Sequence, residues 1–188
     1  MLKKSLPIAA AALFLASCAT TPPPPPPAPV APKVVELPYR WTQGNAPQAH
    51  KDMVAVFGPL AMKPGEYHWA ASIPDGEAKV VIDILTQTFY VYRGDTLVGV
   101  STISSGKKGK ETPLGFWDVK TKKVKGFSRK YDNAPMPFMQ MYDEKGIAFH
   151  AGANPGYPAS HGCVRLPLKF AEKLYGLTAI GTKVIIEG

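Results

Sequence analysis

The clearest pattern in the chain lies after residue 78, where apolar residues fall in short runs. Val80, Val81, Ile82 and Ile84 form one run; Phe89, Val91 and Tyr92 a second; Leu97, Val98, Val100 and Ile103 a third. Their β-branched and aromatic content suits pleated, buried strands, and the separators Thr86-Gln87 and Arg93-Gly94-Asp95 suit tight turns, so hairpins are predicted. The Arg-Gly-Asp triplet reads as a turn supplying glycine and aspartate, not as an adhesion signal. Residues 116–121, 137–142, 147–150 and 182–187 are further candidate strands. A helix is predicted over residues 167–175: Pro167 takes its first position, Leu168, Phe170, Ala171 and Leu174 share a side, and Gly176 is its stop. Upstream, residues 48–57 carry one short helical pattern (Ala49, Met53, Val56, Phe57) before Pro59, Pro64, Gly65 and Pro74 interrupt the chain. The expectation is a mainly β domain at residues 78–188 with one or two helices, and an N-terminal extension at residues 33–77 packed against it.

The first 32 residues have another character. A short basic start, apolar residues 6–15 and the small residues ending at Cys18 have the form of a secretory signal over residues 1–17. Ten apolar residues of helix rise about 15 Å, half the hydrocarbon thickness, which is too short for a spanning anchor. Leu15-Ala16-Ser17-Cys18 resembles the lipobox of bacterial lipoproteins, which implies that Cys18 becomes the lipidated first residue. Ala19 in place of an aspartate then implies the outer membrane. Eight of the eleven residues 22–32 are proline, a composition that forms an extended rod of roughly 34 Å and no core. Residues 18–32 are therefore expected to tether the domain at a distance from a membrane, facing the periplasm and the wall.

Charge adds a class of partner. The net charge of +8 falls to +6 once Lys3 and Lys4 are removed with the signal, which favours anionic partners: nucleic acid, anionic lipid or anionic cell-wall polymer. The lysines between Lys107 and Lys125 are scattered over a predicted hairpin and loop, the pattern of a solvated face. The two cysteines, Cys18 and Cys163, sit in contexts that each use the residue singly, so no disulfide is expected.

The chemistry concentrates in residues 150–166. His150, Ser160, His161, Cys163 and Arg165 fall within sixteen positions after a strand. A thiol attacks a carbonyl as the thiolate, and a neighbouring imidazole is its usual base near neutral pH. His150 or His161 could serve, and the Gly/Pro-rich loop between strand and cysteine lets the chain return alongside His150. Gly162, lacking Cβ, lets backbone N–H groups turn toward a reacting carbonyl. The same residue types could instead hold zinc through His150, His161 and Cys163. His50 and His68 lie in the extension and read as surface or core residues.

Ser160-His161-Gly162-Cys163-Val164-Arg165, preceded by His150, resembles the signature of L,D-transpeptidases with a YkuD-type catalytic domain. Residues 81–92, 112–116 and 136–138 are similar to that family's earlier landmarks. The resemblance implies a YkuD-like β-sandwich or barrel and a peptidoglycan transpeptidase without cofactor or metal. It implies Cys163 as the acylated nucleophile and His150 as its base. The backbone at His161, Gly162 and Cys163 would form the oxyanion hole. Ala151 would orient the base through its carbonyl, with Gly152 beside it; Arg165 would order the loop or bind a substrate carboxylate, and Ser160 would support the loop. The partners implied are peptidoglycan stem peptides, with another stem or a lipoprotein as acceptor and no nucleic acid. The loop between His150 and Ser160, only nine residues, is shorter than in many members, and Pro155-Gly156 marks it as a turn. A hydrolase of wall links and a non-catalytic wall-binding lipoprotein are the alternative readings.

Overall fold

The computed structural model describes residues 38–188. The expected signal peptide, the lipidated Cys18, the proline-rich tether and the start of the extension lie outside the described residues.

Two sheets carry the domain. The first has the order β1-β4-β3-β2-β10-β5, with β1 Tyr67–Trp69, β2 Ala78–Asp83, β3 Thr88–Arg93, β4 Thr96–Thr102, β5 Gly115–Asp118 and β10 Lys183–Glu187. The second has the order β6-β7-β8-β9, with β6 Thr121–Phe127, β7 Pro135–Met141, β8 Ala148–Ala151 and β9 Val164–Leu166. Helix α1 spans Asn45–Phe57 and α2 spans Leu168–Leu177. The predicted hairpins form: β2 pairs antiparallel with β3, and β3 with β4. Gln87 and Gly94 adopt positive φ in the two turns.

The apolar runs are continuous instead of alternating because both faces of the central strands are covered. Val80, Ile82, Phe89, Val91, Val184 and Ile186 face one core, shared with Phe149, Val164 and Leu166 of the second sheet and with Phe170 and Leu174 of α2. Their neighbours Val81, Tyr90, Tyr92 and Ile185 face the opposite way and pack against Ala46, Ala49 and Met53 of α1. The extension thus covers the outer face of the six-stranded sheet and adds β1 to its edge beside β4.

Helix α1 begins at Asn45, earlier than its apolar pattern suggests, and has no side-chain cap of its own. Its free N–H groups are satisfied from the far end of the chain. The buried carboxylate of Glu187 accepts from the backbone of Gln43 (2.8 Å), Asn45 (3.2 Å) and Ala46 (2.7 Å), from Thr42 Oγ1 (2.7 Å) and from Asn45 Nδ2 (2.9 Å). A negative charge at a helix N-terminus also complements its dipole. Nearby, the carbonyl of Gly188 accepts the N–H groups of Arg40 and Trp41, and Asp83 accepts the Tyr39 hydroxyl at 2.7 Å.

Two expectations change. The single strand predicted over residues 116–121 is divided between sheets: the Val119 N–H bonds Thr182 O beside the first, while the Lys120 N–H bonds Met141 O in the second. Gly176 does not stop α2, which runs to Leu177. There Lys122 caps the helix by donating to the carbonyls of Tyr175 and Thr178, a cation at the negative end of the dipole. β6 was not legible as a strand because Lys122, Lys123 and Lys125 dominate it; as the edge of its sheet, it is where charges discourage pairing with another chain.

Candidate active site

Strands β8 and β9 run parallel with Phe149 opposite Val164, His150 opposite Arg165 and Ala151 opposite Leu166. This register brings the end of the 152–160 loop back beside the strand that carries His150. Cys163 is a free, half-buried thiol packed against Met136, Met139 and Ala148. Ala148 and His150 are two residues apart on β8 and so project from the same face. The thiol and the imidazole both line one cavity of about 550 Å³, together with Ser160, His161 and Arg165.

The orientation of His150 is fixed by its neighbour. Its Nδ1 lies 2.8 Å from the carbonyl oxygen of Ala151. A carbonyl only accepts, so Nδ1 carries the proton and Nε2 is left with the lone pair a base needs. Burial pushes the imidazole below its ordinary pKa, as does the charge of Arg165, against the Ala151 hydrogen bond. Burial pushes the Cys163 thiol up, opposed by a backbone hydrogen bond at Ala148 and by Arg165. Both shifts favour the uncharged pair, thiol and neutral imidazole, at neutral pH.

The loop before the thiol is held at three points. Ser160 Oγ accepts the Gly162 N–H at 3.0 Å and donates to the carbonyl of Cys163. Thr112 Oγ1 donates to the carbonyl of Gly162 at 2.8 Å while accepting the Gly106 N–H at 2.9 Å. The backbones of Ala159 and Ser160 both donate to Ser105 O. Gly162 has φ +120°, which calls for glycine, and a Cβ there would lie 2.8 Å from Ile147 Cδ1, the end of a side chain that would have to move. The three backbone amides expected to face an oxyanion differ in their hydrogen bonding. The Gly162 N–H is bonded to Ser160 Oγ, whereas the amides of His161 and Cys163 have no partner among the described residues.

The other candidates are placed as follows. Arg165 exchanges backbone hydrogen bonds with Ser104 at 3.0 and 3.1 Å, and its side chain borders the cavity. Gly152 leaves room for that side chain, because a Cβ would come within 3.2 Å of Arg165 Cγ. His161 is exposed and stacks on Tyr131 with ring centroids 4.5 Å apart. His50 and His68 are exposed in the extension. Among the described residues, no three His, Cys, Asp or Glu side chains converge to hold a metal ion.

Sequence reading missed the floor and rim of the cavity. Phe138, within β7, has φ +54°, a left-handed conformation that interrupts the alternation of the strand. Met136 and Met139, three residues apart, consequently both face the cavity, while Phe138 turns to the core beside Tyr175. The only signal was the density of methionine in residues 136–141. Thr112, the brace of the thiol loop, had no signal beyond its place in a family landmark.

A family model described as the L,D-transpeptidase catalytic domain, YkuD, matches residues 77–186. The chain belongs to that family. Solved structures similar to it include an L,D-transpeptidase from Mycobacterium tuberculosis H37Rv, 23% identical, matched over 59% of this chain and 57% of that one with a TM-score of 0.56. An L,D-transpeptidase from Stackebrandtia nassauensis is 23% identical over 75% of this chain and 67% of its own, with a TM-score of 0.56. L,D-transpeptidase 3 from Mycobacterium tuberculosis, in complex with a faropenem-derived adduct, is 22% identical over 58% and 59%, with a TM-score of 0.53. At these identities the likeness is one of fold, and the chain spans only 57% of the first of these proteins. No curated protein sequence matches the chain. The mainly β fold expected of an L,D-transpeptidase domain is the one observed.

Proposed function

We propose that this L,D-transpeptidase family member acylates Cys163 with a peptidoglycan tetrapeptide stem and transfers the acyl group to an amine. The observation that carries the reading is the Ala151-locked imidazole of His150 opening, with Cys163, into one cavity. The sulfur of Cys163 attacks the carbonyl of the bond between the L-centre and D-Ala as its proton passes to His150 Nε2. The tetrahedral oxyanion is met by the main-chain N–H of Cys163, with that of His161 beside it; one such donor typically contributes about 3–4 kcal/mol to the transition state. Collapse breaks the C–N bond, and the departing D-Ala amine takes the proton from His150. An amine acceptor then attacks the thioester, again losing its proton to His150, and Cys163 is released as the thiol. Arg165, next to both groups, binds a substrate carboxylate.

The acceptor is a second stem, giving a 3–3 cross-link, or a lysine of a lipoprotein. A preceding signal, lipidation at Cys18 and the proline-rich tether would place the domain on the periplasmic face of the outer membrane. The faropenem-derived adduct on a structural relative supplies the probe for the experiment. Incubation with faropenem should add one adduct to the chain, on Cys163 by peptide mapping, and Cys163→Ala should abolish it. Incubation with a tetrapeptide and an amine should then release D-Ala and yield the joined product. Release of D-Ala without joining would make the protein a hydrolase; neither adduct nor release would leave a wall-binding protein.

A further inference from the structure

The walls of the cavity are electrically one-sided. Lys123 of β6, Arg129 and Lys130 of the 128–134 loop, Lys145 of the turn before β8, and Arg165 of β9 all line it, and no aspartate or glutamate does. None of these five side chains belongs to an ion pair among the described residues, whereas Lys120, Lys169 and Lys183 each find a carboxylate within 3.0 Å. Four of the five are exposed and stand at the rim; below them the floor is apolar, built by Met136, Met139 and Ile147, with the half-buried thiol among them. Like charges gathered around one cavity repel one another, and an anion entering it relieves that repulsion. They come from β6 and the loop after it, from the turn before β8 and from β9, so no single element carries them all.

We propose that Lys123, Arg129, Lys130 and Lys145 select the acyl donor by its free carboxylates. Stem peptides with ionised side-chain carboxyl groups are then preferred over the same peptides carrying carboxamides. The inference rests on the acyl-transfer reading of Cys163 and deepens it by naming the charge state of the substrate. Exposed cations act at long range and are screened by salt, so they raise the rate of productive encounter and lower KM more than they change the bond-making step.

The test compares two tetrapeptides that differ only in carboxylate against carboxamide beside the attacked carbonyl, following acyl-enzyme mass. At about 50 mM salt the carboxylate peptide should lead by roughly tenfold in kcat/KM, and at about 300 mM the advantage should shrink several-fold. The combined Lys123→Gln, Lys130→Gln, Lys145→Gln variant should lose most of the preference, with the change falling on KM. Each single neutralisation should lower kcat/KM for the carboxylate peptide by about two- to fivefold. These side chains are exposed and unpaired, so the variants keep the fold, and labelling of Cys163 by neutral iodoacetamide should match wild type. Equal use of both peptides, or a preference indifferent to salt and to the triple variant, would overturn the proposal while leaving acyl transfer intact. Labelling by iodoacetamide without acylation by either peptide or by faropenem would overturn the acyl-transfer reading, and this one with it.

Discussion

Ser160 grips the chain on both sides of Cys163, its hydroxyl accepting the Gly162 N–H at 3.0 Å and donating to the Cys163 carbonyl. One small side chain thereby satisfies a backbone donor and a backbone acceptor in the turn before β9. Ser160 is itself fully enclosed, so its removal leaves two polar groups without water. Ser160→Ala should destabilise the domain by about 1–3 kcal/mol, read as a lower urea midpoint with unchanged slope, and should slow faropenem acylation beyond what the stability loss explains. Wild-type acylation in a fully folded Ser160→Ala protein would separate the brace from the chemistry.

Gly162→Ala meets two obstacles, a left-handed φ of +120° and Ile147 Cδ1 at 2.8 Å. Adding Ile147→Val clears the contact but not the conformation. The double variant should therefore recover part of the stability lost by Gly162→Ala while acylation of Cys163 remains depressed. Full recovery of acylation would show that space alone, and not backbone conformation, reserves the position for glycine.

The paired shifts of His150 and Cys163 give two pH limbs. Since burial holds the imidazole below its ordinary value of about 6.5, the acid limb of acylation should lie below that pH. Because burial raises the thiol, iodoacetamide, which takes only thiolate, should label Cys163 with a midpoint above about 8.5. Stability follows the same logic. A histidine whose folded pKa is depressed leaves the unfolded chain binding more protons, so its contribution is complete above the unfolded value and declines as pH falls toward the folded one. His150→Gln should flatten that decline in urea midpoints measured across the interval.

Glu187 works in the opposite range. Burial raises its carboxyl, but hydrogen bonds from Ala46, Asn45, Thr42 and Gln43 outweigh this and hold it below the ordinary carboxylate value. Its contribution is thus present above the unfolded pKa of about 4.3 and lost as pH falls through the folded one. Glu187→Gln should cost about 2–3 kcal/mol at neutral pH and weaken the acid sensitivity of unfolding. Circular dichroism against pH would report both, and an unchanged acid transition would remove Glu187 as its source.

The strands that were legible are those whose side chains face apolar surroundings on both sides, such as Val80 to Ile82 and Phe89 to Tyr92. β6 escaped because its pattern is set by solvent and by the cavity instead of a core, and the break at Val119 depends on two hydrogen bonds to different sheets. At the site, the order Ser160-His161-Gly162-Cys163 was readable because its requirements are local: a hydroxyl, a missing Cβ and a thiol at fixed spacing. Thr112, forty-eight residues before Ser160 in sequence, and the rim cations Lys123, Lys130 and Lys145 join the site only through tertiary folding. So does Met136, brought round by the left-handed turn of the chain at Phe138. The bond from the Gly162 amide to Ser160 was not legible for the same reason, since a hydrogen bond to a side chain two residues earlier is a matter of geometry, not composition.

Strand β10 lies between β2 and β5 and carries the carboxylate that completes α1. Without β10, β5 has no neighbour, the six-stranded sheet has a gap, and the first helix has no acceptor for its opening amides. The strand that closes the sheet is thus also the strand that caps the helix, and one element completes both.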